Sequence, residues 1–222
     1  RPERLALFGY AHVPWMKAHQ QLIHEAALPG AAERLEQSEV AAEHLIAEGY
    51  VRIGLDHFAL PSDDLAAAQA QGRLRRNFQG YTTDSARALI GVGASAIGSL
   101  PQGFVQNASQ ELAWRNALAA GDLPIARGVA VTNADRLRGE IIERLMCDLY
   151  VDLYSVCCDH GRDLGEFSRE LAQMASFERD GLVTCDGGRI TVTEAGRLVV
   201  RSICAVFDTY FAAQEGRHSR TL

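Results

Sequence analysis

No cysteine in this chain stands in a C-x-x-C or C-x-x-x-C-x-x-C spacing, which removes the usual zinc and iron–sulfur cradles from its 222 residues. The five cysteines, Cys147, Cys157, Cys158, Cys185 and Cys204, are odd in number and irregular in spacing. They read as free thiols of a reducing cytoplasm, with two plain thiols rather than a vicinal disulfide at Cys157-Cys158. No apolar run approaches the ~20 residues needed to span a bilayer, and no signal-peptide pattern opens the chain. An excess of positive charge is lacking too. The net charge of −6 argues against a general binder of nucleic acid or anionic membrane. Internal repeats and low-complexity tracts are absent.

What remains is ordinary globular composition, 47% apolar and 23% charged, with ample length for a core. Arg1 stands where a Met would open a complete protein, and Leu5-Ala6-Leu7-Phe8 begins as a strand without lead-in. The start reads as a cut through a larger protein. Leu5 to Ala11 reads as a buried strand closed by Pro14. Leu35, Val40, Ala41, Leu45 and Ile46 mark an amphipathic helix from Ala31 to Glu48, stopped at Gly49. Tyr50 to Leu55 is the next strand. Strand, helix, strand is the βαβ unit of a parallel sheet, open or closed into a barrel. Ser62 can cap a helix from Asp63 to Gln71, with Asp63 and Asp64 at its positive end.

The grammar changes between Pro101 and Pro124, where we place the domain boundary, dividing residues 1–110 from 111–222. A helix from Ser109 through Ala120 is stopped by Gly121. Thr132-Asn133-Ala134-Asp135 resembles a capping box and opens a helix carrying Leu137, Ile141, Ile142, Leu145, Met146 and Leu149. A second helix spans about Leu164 to Arg179. Asp186-Gly187-Gly188 signals a hairpin between Gly181 and Thr193. Thr193 caps a final helix with Leu198, Val199, Ile203, Val206, Phe207 and Tyr210. Helix, helix, hairpin, helix is a small winged-helix-like unit, so the fold class is α/β followed by α+β. Winged helices often bind DNA, and Arg197 and Arg201 share one turn of the last helix. The unit is not basic overall, so a structural cap is the preferred reading.

The chain is organised around Arg76-Asn77-Phe78-Gln79-Gly80-Tyr81-Thr82-Thr83, a polar and aromatic loop without period, and Leu89 to Ile97, a short apolar run spaced by Gly and Ala. A loop followed by a small-residue strand end can line a pocket, because Gly91, Gly93 and Ala94 let backbone approach a ligand. His12, His57 and Ile97 would fall at C-terminal ends of strands, on one rim. Asp56 precedes His57, but neighbours on an extended chain face opposite ways, so this pair is not expected to interact.

These two motifs resemble the oxygen-independent coproporphyrinogen III oxidase (dehydrogenase) family of radical S-adenosylmethionine enzymes. Three further stretches agree: Tyr10-Ala11-His12-Val13-Pro14, Gly54-Leu55-Asp56-His57-Phe58-Ala59 and Cys204-Ala205-Val206-Phe207-Asp208-Thr209-Tyr210. The resemblance covers nearly the whole chain, but only the C-terminal half of such an enzyme. It implies the last strands and helices of a radical-SAM partial (βα) barrel followed by the winged-helix-like domain. It also implies a [4Fe–4S] cluster in the full-length enzyme, held by a C-x-x-x-C-x-x-C loop of the missing N-terminal half. Two molecules of S-adenosylmethionine are implied, contacted by the residues matching Ala11 and Ile97, with Gln79 able to reach the same ligands.

The implied substrate is coproporphyrinogen III, whose propionates would be met by Arg76, with Tyr81 in the same motif as a second substrate residue. Arg suits that task because its planar fork meets carboxylates bidentately. Two propionates would become vinyls, giving protoporphyrinogen IX in haem biosynthesis. Haem-chaperone-like paralogues typically carry His-Asn-x-x-Tyr-Trp at this point, which the chain lacks. The sequence offers no signal for the electron acceptor, and no nucleic-acid or membrane partner is expected.

Overall fold

Three short strands near the start of the chain form one small sheet, and a single left-handed glycine decides its topology. The computed structural model describes residues 1–211. β1 (Arg4–Ala6) is followed by α1 (Ala31–Ala47), β2 (Val51–Ile53) and β3 (His57–Ala59). The order is β1-β3-β2, and both pairings are antiparallel. The expected parallel unit is therefore corrected. β1 and β2 run the same way, but β3 folds back and inserts between them. Gly54 makes this possible: its backbone is left-handed, at φ +53°, so the apolar run Ile53-Gly54-Leu55 turns instead of extending. Phe58, Tyr50 and Ala42 form one small core against α1, on one face of the sheet. Ile53 and Ala59 face the other way, into a cluster with Leu65, Leu74 and Tyr81.

α2 (Asp64–Ala70) is capped by Asp63, whose carboxylate accepts from the Leu65 N–H at 2.7 Å, one residue beyond the expected Ser62. The motif read as a structureless loop is a hairpin, β4 (Arg75–Asn77) and β5 (Gly80–Thr82), turning at Phe78-Gln79. The expected strand from Gly91 starts only at Ile97. Gly93 (φ +108°) and Ser95 (φ +62°) keep the preceding segment irregular, and the Asn107 amide donates to the carbonyls of Gly91 and Gly93. β6 (Ile97–Leu100) and β7 (Gly103–Asn107) form an antiparallel hairpin. α3 (Glu111–Ala119) starts two residues later than Ser109. β8 (Ile125–Ala130) then returns to pair with β7, exposed along its whole length.

α4 (Asn133–Asp148) opens on the expected capping box, Thr132 with Asp135. Its C-terminus meets a strand and helix that periodicity did not show, β9 (Tyr150–Asp152) and α5 (Leu153–Asp159). α6 (Ser168–Arg179) leads into β10 (Val183–Asp186) and β11 (Arg189–Val192), joined through Gly187 and Gly188, both left-handed. β9 pairs on the far side of β11. The last helix is broken into α7 (Glu194–Arg197) and α8 (Val200–Ala205), and Tyr210 lies beyond it, donating to Asp135. The largest core joins Leu137, Ile141 and Leu145 of α4 to Phe167, Met174, Ile190, Ile203 and Phe207. Among the described residues every strand pairing is antiparallel and no closed barrel forms.

A methyl group at Gly54 would overlap the Tyr81 ring as well as strain the left-handed backbone. Gly54→Ala is expected to lower stability by about 3 kcal/mol, read from the midpoint of urea unfolding. A loss below half of that would show that Tyr81 can move aside.

Candidate functional site

Tyr81 is the buried centre of the region. Its hydroxyl donates to the Met146 carbonyl of α4 and accepts from the Leu55 N–H of the turn, both at 3.0 Å. Burial raises its pKa above the ordinary tyrosine value, so it stays a neutral donor. One side of the ring carries the Arg76 guanidinium, 4.8 Å from the centroid. His57 meets the ring edge-on at 5.1 Å.

The arrangement around Arg76 leaves its charge available. Glu143 of α4 accepts from the Arg76 backbone N–H at 3.3 Å and from Arg75 Nη1 at 3.1 Å. Arg75 thus takes the carboxylate, and Arg76 Nη1 is buried with no hydrogen-bond partner among the described residues. Arg76 lines a cavity of about 560 Å³ between the β4–β5 hairpin, β6, β7, α4 and α8. Phe78 and Phe104 meet edge to face at 5.4 Å on its wall, and Leu89, Ile142, Met146 and Phe211 add apolar lining beside the polar Asn77, Ser99, Glu143, Arg201 and Asp208. An apolar, aromatic cavity with a free guanidinium suits a bulky ligand carrying a carboxylate.

The sequence-expected residues are not gathered in one place. Arg76 lines the large cavity. Tyr81 sits beneath Arg76 with its hydroxyl already bonded at both ends. Gln79 is exposed at the hairpin tip, and its side-chain amide has no hydrogen bond among the described residues. Ile97 is half-buried at the start of β6. Ala11 is exposed, its carbonyl accepting from Gln20 at 3.1 Å, and it borders a smaller cleft of about 200 Å³. The space beside Gly91 is filled by the backbone of Ala96 and Ile97, so this glycine serves the chain's own packing. The expected rim is corrected as well. His57 and Ile97 begin their strands, and His12 lies in irregular chain past β1.

Asp56 and His57 also overturn expectation: Asp56 Oδ1 lies 2.7 Å from His57 Nδ1. Asp56 belongs to the turn and not to a strand, so the two side chains can converge. The same carboxylate accepts from Arg201 of α8 at 3.1 Å, while Arg197 donates to the Gly54 carbonyl at 2.8 Å. The two arginines that suggested a DNA-reading helix are therefore engaged with the chain's own turn. Glu143 and Phe104 carried no sequence signal of their own, because their roles come from segments far away along the chain, whereas Asp56 stood in a motif but was expected to face away from His57.

Among the described residues no group of three or more His, Cys, Asp or Glu could hold a metal ion, and no helix is long and apolar enough to cross a membrane. All five cysteines are unpaired. Cys147, beneath Tyr81, and Cys204, on the cavity wall, are buried, and burial pushes both thiols up to about 12.

Comparison with known proteins defines the class. Residues 131–199 match the HemN C-terminal domain. Over 221 residues, the whole of this chain, it is 45% identical to an oxygen-independent coproporphyrinogen III oxidase of Bradyrhizobium diazoefficiens, of which it covers 49%. It is 44% identical to the protein of that name from Paracoccus denitrificans, again covering 49% of it. The structure of the radical SAM enzyme coproporphyrinogen III oxidase (HemN) from Escherichia coli matches with a TM-score of 0.89 and 37% identity, over 95% of this chain and 49% of that one. The resemblance read from the motifs thus holds: the chain is similar along its length to oxygen-independent coproporphyrinogen III oxidases, and its residues 131–199 match the HemN C-terminal domain. It spans about half the length of the curated relatives it matches.

Alkylation by iodoacetamide at pH 8 is expected to label exposed Cys158 and spare Cys147 and Cys204, read by peptide mass spectrometry. Labelling of either buried thiol at a comparable rate would show that the cavity wall opens.

Proposed function

We propose that the chain is the C-terminal portion of an oxygen-independent coproporphyrinogen III dehydrogenase, acting in porphyrin biosynthesis. The observation that carries this reading is the Arg76 guanidinium, which among the described residues forms no ion pair and lines a large cavity with Phe78 and Phe104. Residues 1–110 then form the last part of a radical-SAM partial barrel, and residues 111–222 a winged-helix-like domain. β8 reaches back across that division to pair with β7. Free thiols throughout fit a reducing, cytoplasmic setting.

The substrate is coproporphyrinogen III, and the reaction turns two propionates into vinyl groups to give protoporphyrinogen IX. S-adenosylmethionine with a [4Fe–4S] cluster supplies the radical chemistry that removes a hydrogen atom from each propionate. The cluster's ligands would belong to a C-x-x-x-C-x-x-C loop of the N-terminal half, a spacing this sequence does not contain. The chain's own residues fit two cofactor contacts: Ala11 and Ile97 present accessible apolar surface, and Gln79 a free amide. Arg76 holds a propionate by its charge, and Tyr81 acts through Arg76 by fixing the plane of the guanidinium. Phe78 and Phe104, in contact with each other on the cavity wall, offer the tetrapyrrole one aromatic surface. Holding the propionate in a dry, fixed geometry is the protein's share of the catalysis.

In the full-length enzyme, Arg76→Ala should weaken substrate binding by about 1.5–3 kcal/mol while S-adenosylmethionine cleavage is largely kept. An unchanged apparent substrate affinity would remove Arg76 from the site. The 222 residues alone should show no radical activity after anaerobic iron–sulfide reconstitution. A stoichiometric [4Fe–4S] cluster that cleaves S-adenosylmethionine to 5′-deoxyadenosine in this chain would refute that.

A further inference from the structure

The smaller cleft, which Ala11 also borders, gathers arginines that the proposed function does not use. It lies between α1, the first sheet and α8, and holds about 200 Å³. Three arginines line it, Arg34 from α1, Arg52 from β2 and Arg201 from α8, together with Ser38 and Ser202. Arg201 is paired with Asp56, and nearby Arg197 with Glu194. Arg34 and Arg52 have no side-chain hydrogen bond or ion pair among the described residues, and the Nε of each is buried and unpartnered. Glu39 acts on Arg52 electrostatically without forming a salt bridge with it. Burial, and then the neighbouring charge of Arg197, lower the pKa of Arg52. Two unpaired guanidinium groups against one cleft are unfavourable unless an anion joins them. Leu7, Phe8, Phe58, Leu198 and Val199 supply the apolar part of the wall, and Tyr10, Ala11 and the Asp56 carboxylate that pairs with Arg201 also border it.

We propose that this cleft binds a small organic anion, a carboxylate or phosphate on a short apolar stem, with Arg34 and Arg52 meeting the oxyanion. Each guanidinium offers a planar pair of donors, the geometry both oxyanions accept. The volume admits only a small molecule and excludes a tetrapyrrole. Strand alternation separates it from the Arg76 cavity. Arg52 and Phe58 project to the α1 side of the first sheet, whereas Ile53 and His57 project toward Tyr81 and Arg76. Arg201 alone borders both spaces. The site is thus a second one, beside the substrate cavity and not part of it.

Isothermal titration of the full-length protein with hexanoate, hexyl phosphate and inorganic phosphate tests the assignment. Saturable binding of one stemmed anion is expected, and preference between the first two identifies the oxyanion. Arg52→Gln and Arg34→Gln should each weaken it by roughly tenfold or more. Ser38→Trp, which fills the cleft from α1 and leaves every charge in place, should abolish it while thermal unfolding stays unchanged. Arg76→Gln should leave it intact. Three outcomes would overturn the proposal: no binding by the unaltered protein, equal binding by the Arg52, Arg34 and Ser38 variants, or displacement of the anion by S-adenosylmethionine, which would assign the cleft to the cofactor.

Discussion

One buried hydroxyl, that of Tyr81, joins three parts of the molecule. It bonds to the turn after β2 through the Leu55 N–H and to the end of α4 through the Met146 carbonyl. Both partners are backbone groups that would be unsatisfied without it, so losing the hydroxyl costs more than one ordinary bond. The ring meanwhile supports Arg76, occupies the space that keeps residue 54 a glycine, and meets the edge of His57. The hairpin that carries Arg76 is therefore held to the first sheet and to α4 by the same side chain.

The charge arrangement follows from that placement. Arg75 and Arg76 are adjacent in a strand and point to different environments, one toward Glu143 and the other toward Tyr81 and the cavity. A single carboxylate on α4 suffices to quench one and to fix the backbone of the other. Among the described residues the Arg76 guanidinium is thus left without a carboxylate of its own.

The local grammar of the chain was readable where a short segment decides its own structure. The Thr132–Asp135 capping box, the glycine hairpin at Gly187-Gly188 and the helix before it are such segments, whereas the single final helix expected from Thr193 is broken into α7 and α8. The motif from Arg76 to Thr83 stood out in the sequence, though as a loop; three-residue strands are too short for alternation to show. The errors lie where a residue's partner is distant. Strand geometry turned Asp56 away from its neighbour, whereas the turn forced by Gly54 brings it onto His57 and Arg201. Arg197 and Arg201 looked like a free basic stripe because Gly54 and Asp56, their partners, stand far back in the sequence. Glu143 looked like one more exposed acid on a helix until the hairpin was laid across it.

That distance has a consequence for synthesis. Arg197 meets Gly54 and Arg201 meets Asp56 across 143 and 145 positions. Chain growth at about 5–20 residues per second places on the order of ten seconds between the emergence of the turn and that of its arginines. During that interval Asp56 and the Gly54 carbonyl stand hydrated and unclamped, while α1 can already pack on its strands through local contacts. The C-terminal unit, whose core contacts are mostly internal to it, matures last and closes the clamp. Completion of the fold is thus timed by its far end, and a truncation only a few turns short of α8 would leave the first sheet made but unlocked.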